Sequence, residues 1–222
     1  MTSSLGPELA ELIPLALVIT LSPLSIIPGI LMLHTPAPRP TSLAFLIGWI
    51  VSIGGLTAGF VAISNALGGL NKQPTWAPYV RIVIGAGLIA FGLYRWFTRN
   101  RSDHTPAWLT SMTTIKPPRA FVTAIVLAVV NPKVLFMCAA AGLAIGSAGL
   151  GATGAWTADV VFTAVAASSV ALPVLAYLVA GERLDEPLTR LKTWMEEKHA
   201  VLVAAILVVI GVMVLYKGIH GL

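Results

Sequence analysis

Apolar residues fall into six long runs, at 9–33, 42–67, 80–97, 120–145, 155–179 and 200–216. Each is close to or beyond the ~20 residues that a helix needs to cross a bilayer. The polar positions gather between them: a proline-rich turn (HTPAPRP, 34–40), a Gly/Asn/Gln stretch (68–78), a basic connection (98–119), a glycine-rich turn (147–154) and a charged connection (181–199). This pattern predicts an all-α membrane protein of six transmembrane helices. Within 181–199, residues 187–198 read equally well as an interfacial amphipathic helix or as a solvated loop.

Two of the runs are interrupted. The first carries Pro14, Pro23 and Pro28, with the sequence Ile19-Thr20-Leu21-Ser22-Pro23 at its middle, and the fourth carries Asn131-Pro132-Lys133. Proline removes a backbone donor and collides with the preceding turn, so the first and fourth helices are predicted to break at these points. The two broken helices divide the chain into halves, 1–110 and 111–222, of three runs each, and the halves match further on. Leu93-Tyr94-Arg95 closes the third run as Leu215-Tyr216-Lys217 closes the sixth. An odd number of spans per half inserts the second copy upside down, which gives two inverted three-helix repeats, an architecture of secondary transporters whose paired interrupted helices mark the binding site.

Charge fixes an orientation. With the 98–119 connection on the cytoplasmic side, the inner ends hold Arg39, Arg95, Arg99, Arg101, Lys116, Arg119, Arg183, Arg190, Lys192 and Lys198, and the outer ends hold Lys72, Arg81 and Lys217; Lys133 completes the fourteen basic residues. The positive-inside rule then places both termini outside the cytoplasm. No basic segment precedes the first run, which is therefore expected to be retained as a span. Composition agrees with the pattern: 57% of residues are hydrophobic, 10% are charged, and the mean hydropathy is +0.88. The net charge of +5 lies in connections between spans and points to topology, with no nucleic acid as partner.

Lys133 and Asp159 are the charged residues that lie more than three positions from the end of an apolar run. Lys133 has about a dozen apolar residues on either side, roughly 18 Å each way at helical rise, a long reach for a snorkelling side chain. Intramembrane charges mark functional sites by default. Asp159, about four residues into its run and so roughly 6 to 8 Å deep, is either a helix-start acid held by amides and water or the partner of Lys133. Ser22 and Asn131 precede Pro23 and Pro132, and their side chains serve as caps or as contacts to a substrate. Thr20, Ser25, Thr123, Ser168 and Ser169 line a polar path or bond back to their own backbone. The four histidines are too scattered for a metal site. Lone Cys138 reads as a core residue and permits neither a disulfide nor a redox pair within the chain. With no phosphate-cradling loop, no cofactor motif and no grouping of nucleophile and base, an enzyme is not expected. Gly55 to Gly59 and Gly142 to Gly146 have the small-xxx-small spacing of closely packed helices, within one chain or across a homodimer.

Ser22-Pro23-Leu24, Leu43-Ala-Phe-Leu-Ile-Gly-Trp49 and Asn131-Pro132-Lys133 together resemble the GAP (Sap, LysE) family of actinobacterial membrane proteins, within the lysine-exporter superfamily. The resemblance covers essentially the whole chain in length, span number and basic central loop. It implies a six-span exporter whose motif residues are Ser22, Pro23, Asn131, Pro132 and Lys133. It further implies movement of a glycolipid or lipid-linked substrate toward the cell surface, with membrane lipid and a larger lipid-export complex as partners. An amino acid or similar small anionic or zwitterionic solute, exported at the expense of a proton gradient, is the alternative. A non-transporting assembly factor for a lipid transporter is a third. A redox branch of the superfamily uses paired cysteines and a metal-exporting branch several acids, so the single Cys138 and the lone Asp159 argue against both.

Overall fold

The computed structural model describes residues 5–66 and 114–197, together with single helical positions at 86, 90, 93, 208 and 212. All elements among the described residues are helices, as expected. In chain order they are α1 (Leu5–Thr20), α2 (Pro23–Met32), α3 (Pro38–Ala66), α4 (Pro117–Val130), α5 (Pro132–Ser147), α6 (Gly151–Ala180), a single 3-10 turn (Gly181–Leu184) and α7 (Asp185–Glu197). Helices α2 to α5 all open on proline. Its missing N–H would have no partner in a first turn, and its fixed φ suits a helix start.

Helices α3 and α6, at 29 and 30 residues, are each long and apolar enough to cross a membrane. The other two candidate spans are bent pairs. Residues 9–20 and 25–32 meet at 56°, and α4 and α5 meet at 73°. Both breaks fall where the prolines put them. The third and sixth expected spans, most of the 98–119 connection and hence the pairing of Tyr94-Arg95 with Tyr216-Lys217 lie outside the described residues.

Two ends differ from the hydropathy limits. The fifth span starts at Gly151, because Gly149 and Gly151 take positive φ (66° and 67°) and turn the chain there. Residues 185–197 form a helix, α7, rather than a solvated loop. Leu188 on α7 enters the core, while Leu191 and Trp194 are exposed.

The chain forms two compact units, Met1–Leu70 with Pro106–Lys192, and Asn71–Thr105 with Thr193–Leu222. Each unit draws on both halves of the sequence. In the first, α3 packs on α4, α5 and α6, while α1 packs on α5 and α6. The approach of α3 to α4 and α5 is close enough to require glycine. A Cβ on Gly48 would lie 2.5 Å from the Phe121 carbonyl oxygen, and one on Gly142 would lie 2.5 Å from that of Thr57. Gly146 meets Ser64 as tightly, so the motif at 142–146 packs helices within the chain. No described atom lies within 4 Å of a Cβ built on Gly55 or Gly59. Phe45 and Trp49 of α3 stack with ring centroids 6.2 Å apart, and with Ile53 and Phe162 they fill the centre of this unit.

Candidate functional site

Apolar helices leave their polar side chains as the features that need explaining, because an unpaired polar group in hydrocarbon is costly. Three groups of such residues occur in the first unit.

The first group is the break between α4 and α5. Asn131 ends one helix and caps the next: its backbone is extended (φ −75°, ψ 106°), its N–H donates to the Leu127 carbonyl, and its side-chain oxygen accepts from the Lys133 N–H at 3.1 Å. An asparagine before a proline does this well, since proline disfavours the helical conformation in the preceding residue and the amide side chain replaces the lost partner. Asn131 is buried, Pro132 is exposed, and Lys133, the second residue of α5, is half-buried.

The second group is the break between α1 and α2. Ser22 is extended and buried, but its hydroxyl makes no capping bond, so the cap expected at both breaks occurs at one of them. Thr20 fastens the end of α1 instead. Its hydroxyl lies 3.0 Å from the Ala16 carbonyl and donates across the bundle to the Val165 carbonyl at 2.7 Å. Val165 is midway along α6, so the break sits near the middle of a span. The Ser168 hydroxyl also donates to Val165. Ser25 and Ser169 are buried and have no partner among the described residues. They flank the contact at which Gly29 of α2 meets Val170 of α6. Of the five hydroxyl residues expected to line a path or bond back, Thr20 and Ser168 are thus held by backbone, Thr123 is half-buried on α4, and Ser25 and Ser169 have no partner among the described residues.

The third group surrounds Asp159. The carboxylate is 5% exposed and accepts a long hydrogen bond, 3.4 Å, from the Thr163 hydroxyl one turn on. Because α6 begins at Gly151, Asp159 is about 12 Å along the helix, deeper than the sequence limits placed it, and it is no helix-start acid. Thr163 faces Gly54 of α3. Cys138 of α5 lies beside Thr57 of α3 and within electrostatic reach of Asp159. The Thr57 hydroxyl is buried, and the Cys138 thiol is the polar group beside it. Thr57 is not among the candidates drawn from the sequence; a hydroxyl between Gly55 and Gly59, inside a small-residue motif, is the signal that points to it.

These groups share one unit but do not merge. Among the described residues no ion pair joins Lys133 to Asp159. Helical geometry accounts for this. Cys138 marks the side of α5 nearest Asp159, and Lys133 precedes it by five residues, about 8 Å back along the axis and some 140° around it. Nor do the histidines, cysteine and acids gather: no group of three fit for a metal ion occurs among the described residues. His34 has a local task, with Nδ1 3.1 Å from the Ile30 carbonyl and Nε2 3.2 Å from the Thr189 hydroxyl of α7.

Broken spans that carry polar residues at the breaks, packed against unbroken ones, define a helical membrane protein. The particular family follows from comparison. Residues 12–220 match the family model described as Sap, sulfolipid-1-addressing protein, and the chain belongs to that family. No curated protein matches it. No solved structure matches it either.

Proposed function

We propose that this chain is a plasma-membrane secondary exporter or lipid-translocating protein that moves a glycolipid or lipid-linked substrate toward the cell surface. The substrate passes between the two broken spans, and Lys133 attracts its anionic group. The observation that carries this reading is the pair of breaks, 56° and 73°, within one compact unit. Among the described residues, one break supplies a cation that no carboxylate neutralises, and the other supplies the unpartnered hydroxyls of Ser25 and Ser169. The name of the family, with its sulfolipid, supports a substrate of this chemistry. An inverted repeat of the lysine-exporter kind belongs to the same proposal, as do termini on the outer side.

Asp159 favours a second reading. A carboxylate buried within a candidate span, with a hydroxyl as its hydrogen-bond donor and no cation beside it among the described residues, suits a proton carrier, and hence a proton-coupled exporter of amino acids or similar solutes. Purified protein in liposomes separates the two, assayed with a fluorescent glycolipid and a labelled amino acid, with and without a pH gradient. Glycolipid movement that falls about tenfold or more in Lys133→Ala, the loss of one charge-assisted contact, is expected. Amino-acid movement that needs the gradient and disappears in Asp159→Asn would replace the first reading with the second.

A further inference from the structure

The break between α1 and α2 is rich in hydrogen-bond acceptors and poor in donors. A helix end leaves its last four carbonyls without partners inside the helix. In α1 these belong to Leu17, Val18, Ile19 and Thr20. The Leu17 carbonyl regains a donor in the Leu21 N–H at 2.9 Å, and that of Ile19 in the Ser22 N–H at 3.1 Å. Those of Val18 and Thr20 receive no backbone N–H among the described residues. The first turn of α2 has little to set against them. Pro23 has no N–H, and the N–H groups of Ser25 and Ile26 both turn to the Ser22 carbonyl, at 2.9 and 3.3 Å. The positive end of α2 is thus largely taken up by its own chain, and what the break presents is oxygen.

Two side chains add to this set. Ser25 is 0% exposed and Ser169 is 8% exposed, and neither hydroxyl has a partner among the described residues. The bond from Thr20 to the Val165 carbonyl and the contact of Gly29 with Val170 fix the broken span along α6. Ser25 stands one turn before Gly29, and Ser169 one turn after Val165, so helical spacing puts both on the contacting faces, between the two anchors. Val165 is about 21 Å from either end of α6 at helical rise, where orphan oxygens are most costly. The group is also neutral. Asp159, the carboxylate of the same helix, lies ten residues before Ser169, roughly 15 Å along the axis. Neutral oxygens at a broken helix, facing few donors, suit a cation rather than an anion, as the carbonyl ends of discontinuous helices do in transporters. Carbonyl and hydroxyl dipoles can replace the hydration shell of a monovalent ion. A divalent ion buried without a carboxylate would keep too much of its charge unbalanced.

We propose that the break between α1 and α2 binds a monovalent alkali cation, Na⁺ or K⁺, between the carbonyl end of α1 and the hydroxyls of Ser25 and Ser169. The inference rests on the same break as the exporter proposed above, and it gives that secondary exporter a coupling ion. Purified protein in neutral detergent, free of lipid substrate, is titrated with NaCl or KCl in exchange for choline chloride at constant ionic strength. Binding is read by thermal stabilisation and by retention of labelled sodium or of labelled rubidium as the stand-in for potassium. One of the two ions is expected to stabilise saturably where choline does not, with the dissociation constant rising about tenfold in each of Ser25→Ala and Ser169→Ala. In choline alone both variants should melt at or above the wild-type temperature, because each loses a buried hydroxyl without a partner. A response no greater than that to choline would leave these hydroxyls to water and overturn the proposal. So would an unchanged affinity in the double variant, or cation binding that is lost in Asp159→Asn and kept in the double variant, which would move the ion to the carboxylate. Calcium that binds as tightly would overturn the monovalent assignment. The titration needs neither substrate nor gradient. Failure of glycolipid movement in liposomes would therefore leave the cation site standing, and failure of cation binding would leave the glycolipid reading standing.

Discussion

Alanine at Gly142 tests whether α3 and α5 are held at the separation described. The added Cβ would stand 2.5 Å from the Thr57 carbonyl oxygen and 2.6 Å from Phe60 Cβ. Ordinary contact begins near 3.4 Å, so the helices would have to part by about 0.9 Å or Phe60 and its backbone would have to move. Thr57 presents backbone there and cannot turn away as a side-chain tip can. Overpacking of this kind costs about 1–3 kcal/mol, against a gain of about 0.5–1 kcal/mol for replacing glycine by alanine within a helix. Taken at the middle of both ranges, the net expectation is a loss of about 1 kcal/mol. Gly54→Ala on α3 supplies the opposite case. Its Cβ would meet Thr163 Oγ1 at 3.4 Å, a normal distance, so the propensity gain stands alone and the variant should be as stable as wild type or slightly more so. Unfolding in a graded series of dodecyl sulfate and neutral detergent, followed by circular dichroism, measures both. Equal stability of Gly142→Ala and wild type would refute the packing described for α3 and α5, and destabilisation by Gly54→Ala as large as that by Gly142→Ala would refute the spacing described for α3 and α6.

Asn131→Ala should lower stability by about 1 kcal/mol in the same titration, because it removes the acceptor for the Lys133 N–H, whereas Ser22→Ala, with no capping bond to lose, should cost less; Asn131→Asp or Asn131→Ser should recover most of the loss. Cys138 is fully buried and should resist maleimide in the folded protein and react once it is denatured, as mass spectrometry would show; rapid labelling of folded protein would place α5 elsewhere. Glu186→Gln should change stability by less than about 0.5 kcal/mol, since its pair with Arg190 on α7 is largely exposed.

The breaks were legible in the sequence because proline has a fixed physical effect wherever it stands, and Asn131 before Pro132 reads as a cap as well as a stop. Two things were not. The depth of Asp159 depends on which glycine turns the chain between α5 and α6. Residues 146, 149, 151 and 154 are all glycine, and only the backbone shows that 149 and 151 take the positive φ. The partners of the long helices were hidden for a different reason. In a soluble helix the apolar stripe points to the core, but α3 and α6 are apolar all round, and in a bilayer a leucine facing lipid looks like a leucine facing protein. The contacts at Gly48 and Gly142 therefore had no hydropathic signature, and Gly55 to Gly59, equal to Gly142 to Gly146 as a motif, showed nothing to separate them. Thr57 became a site residue only when the fold brought α5 to it.

The make-up of the first unit has a consequence for biosynthesis. Its contacts join residues from before and after the central connection, so α3 enters the membrane before the helices that fill its close contacts exist. From Thr57 to Gly142 the ribosome has 85 residues to add, roughly 4 to 17 s at ~5–20 residues per second. Throughout that interval the surface of α3 around Gly48 and Thr57 faces lipid or a chaperone, fitted to neither. The nascent protein passes through an obligatory waiting state, and the seconds it spends there are when a misplaced partner helix has its opportunity.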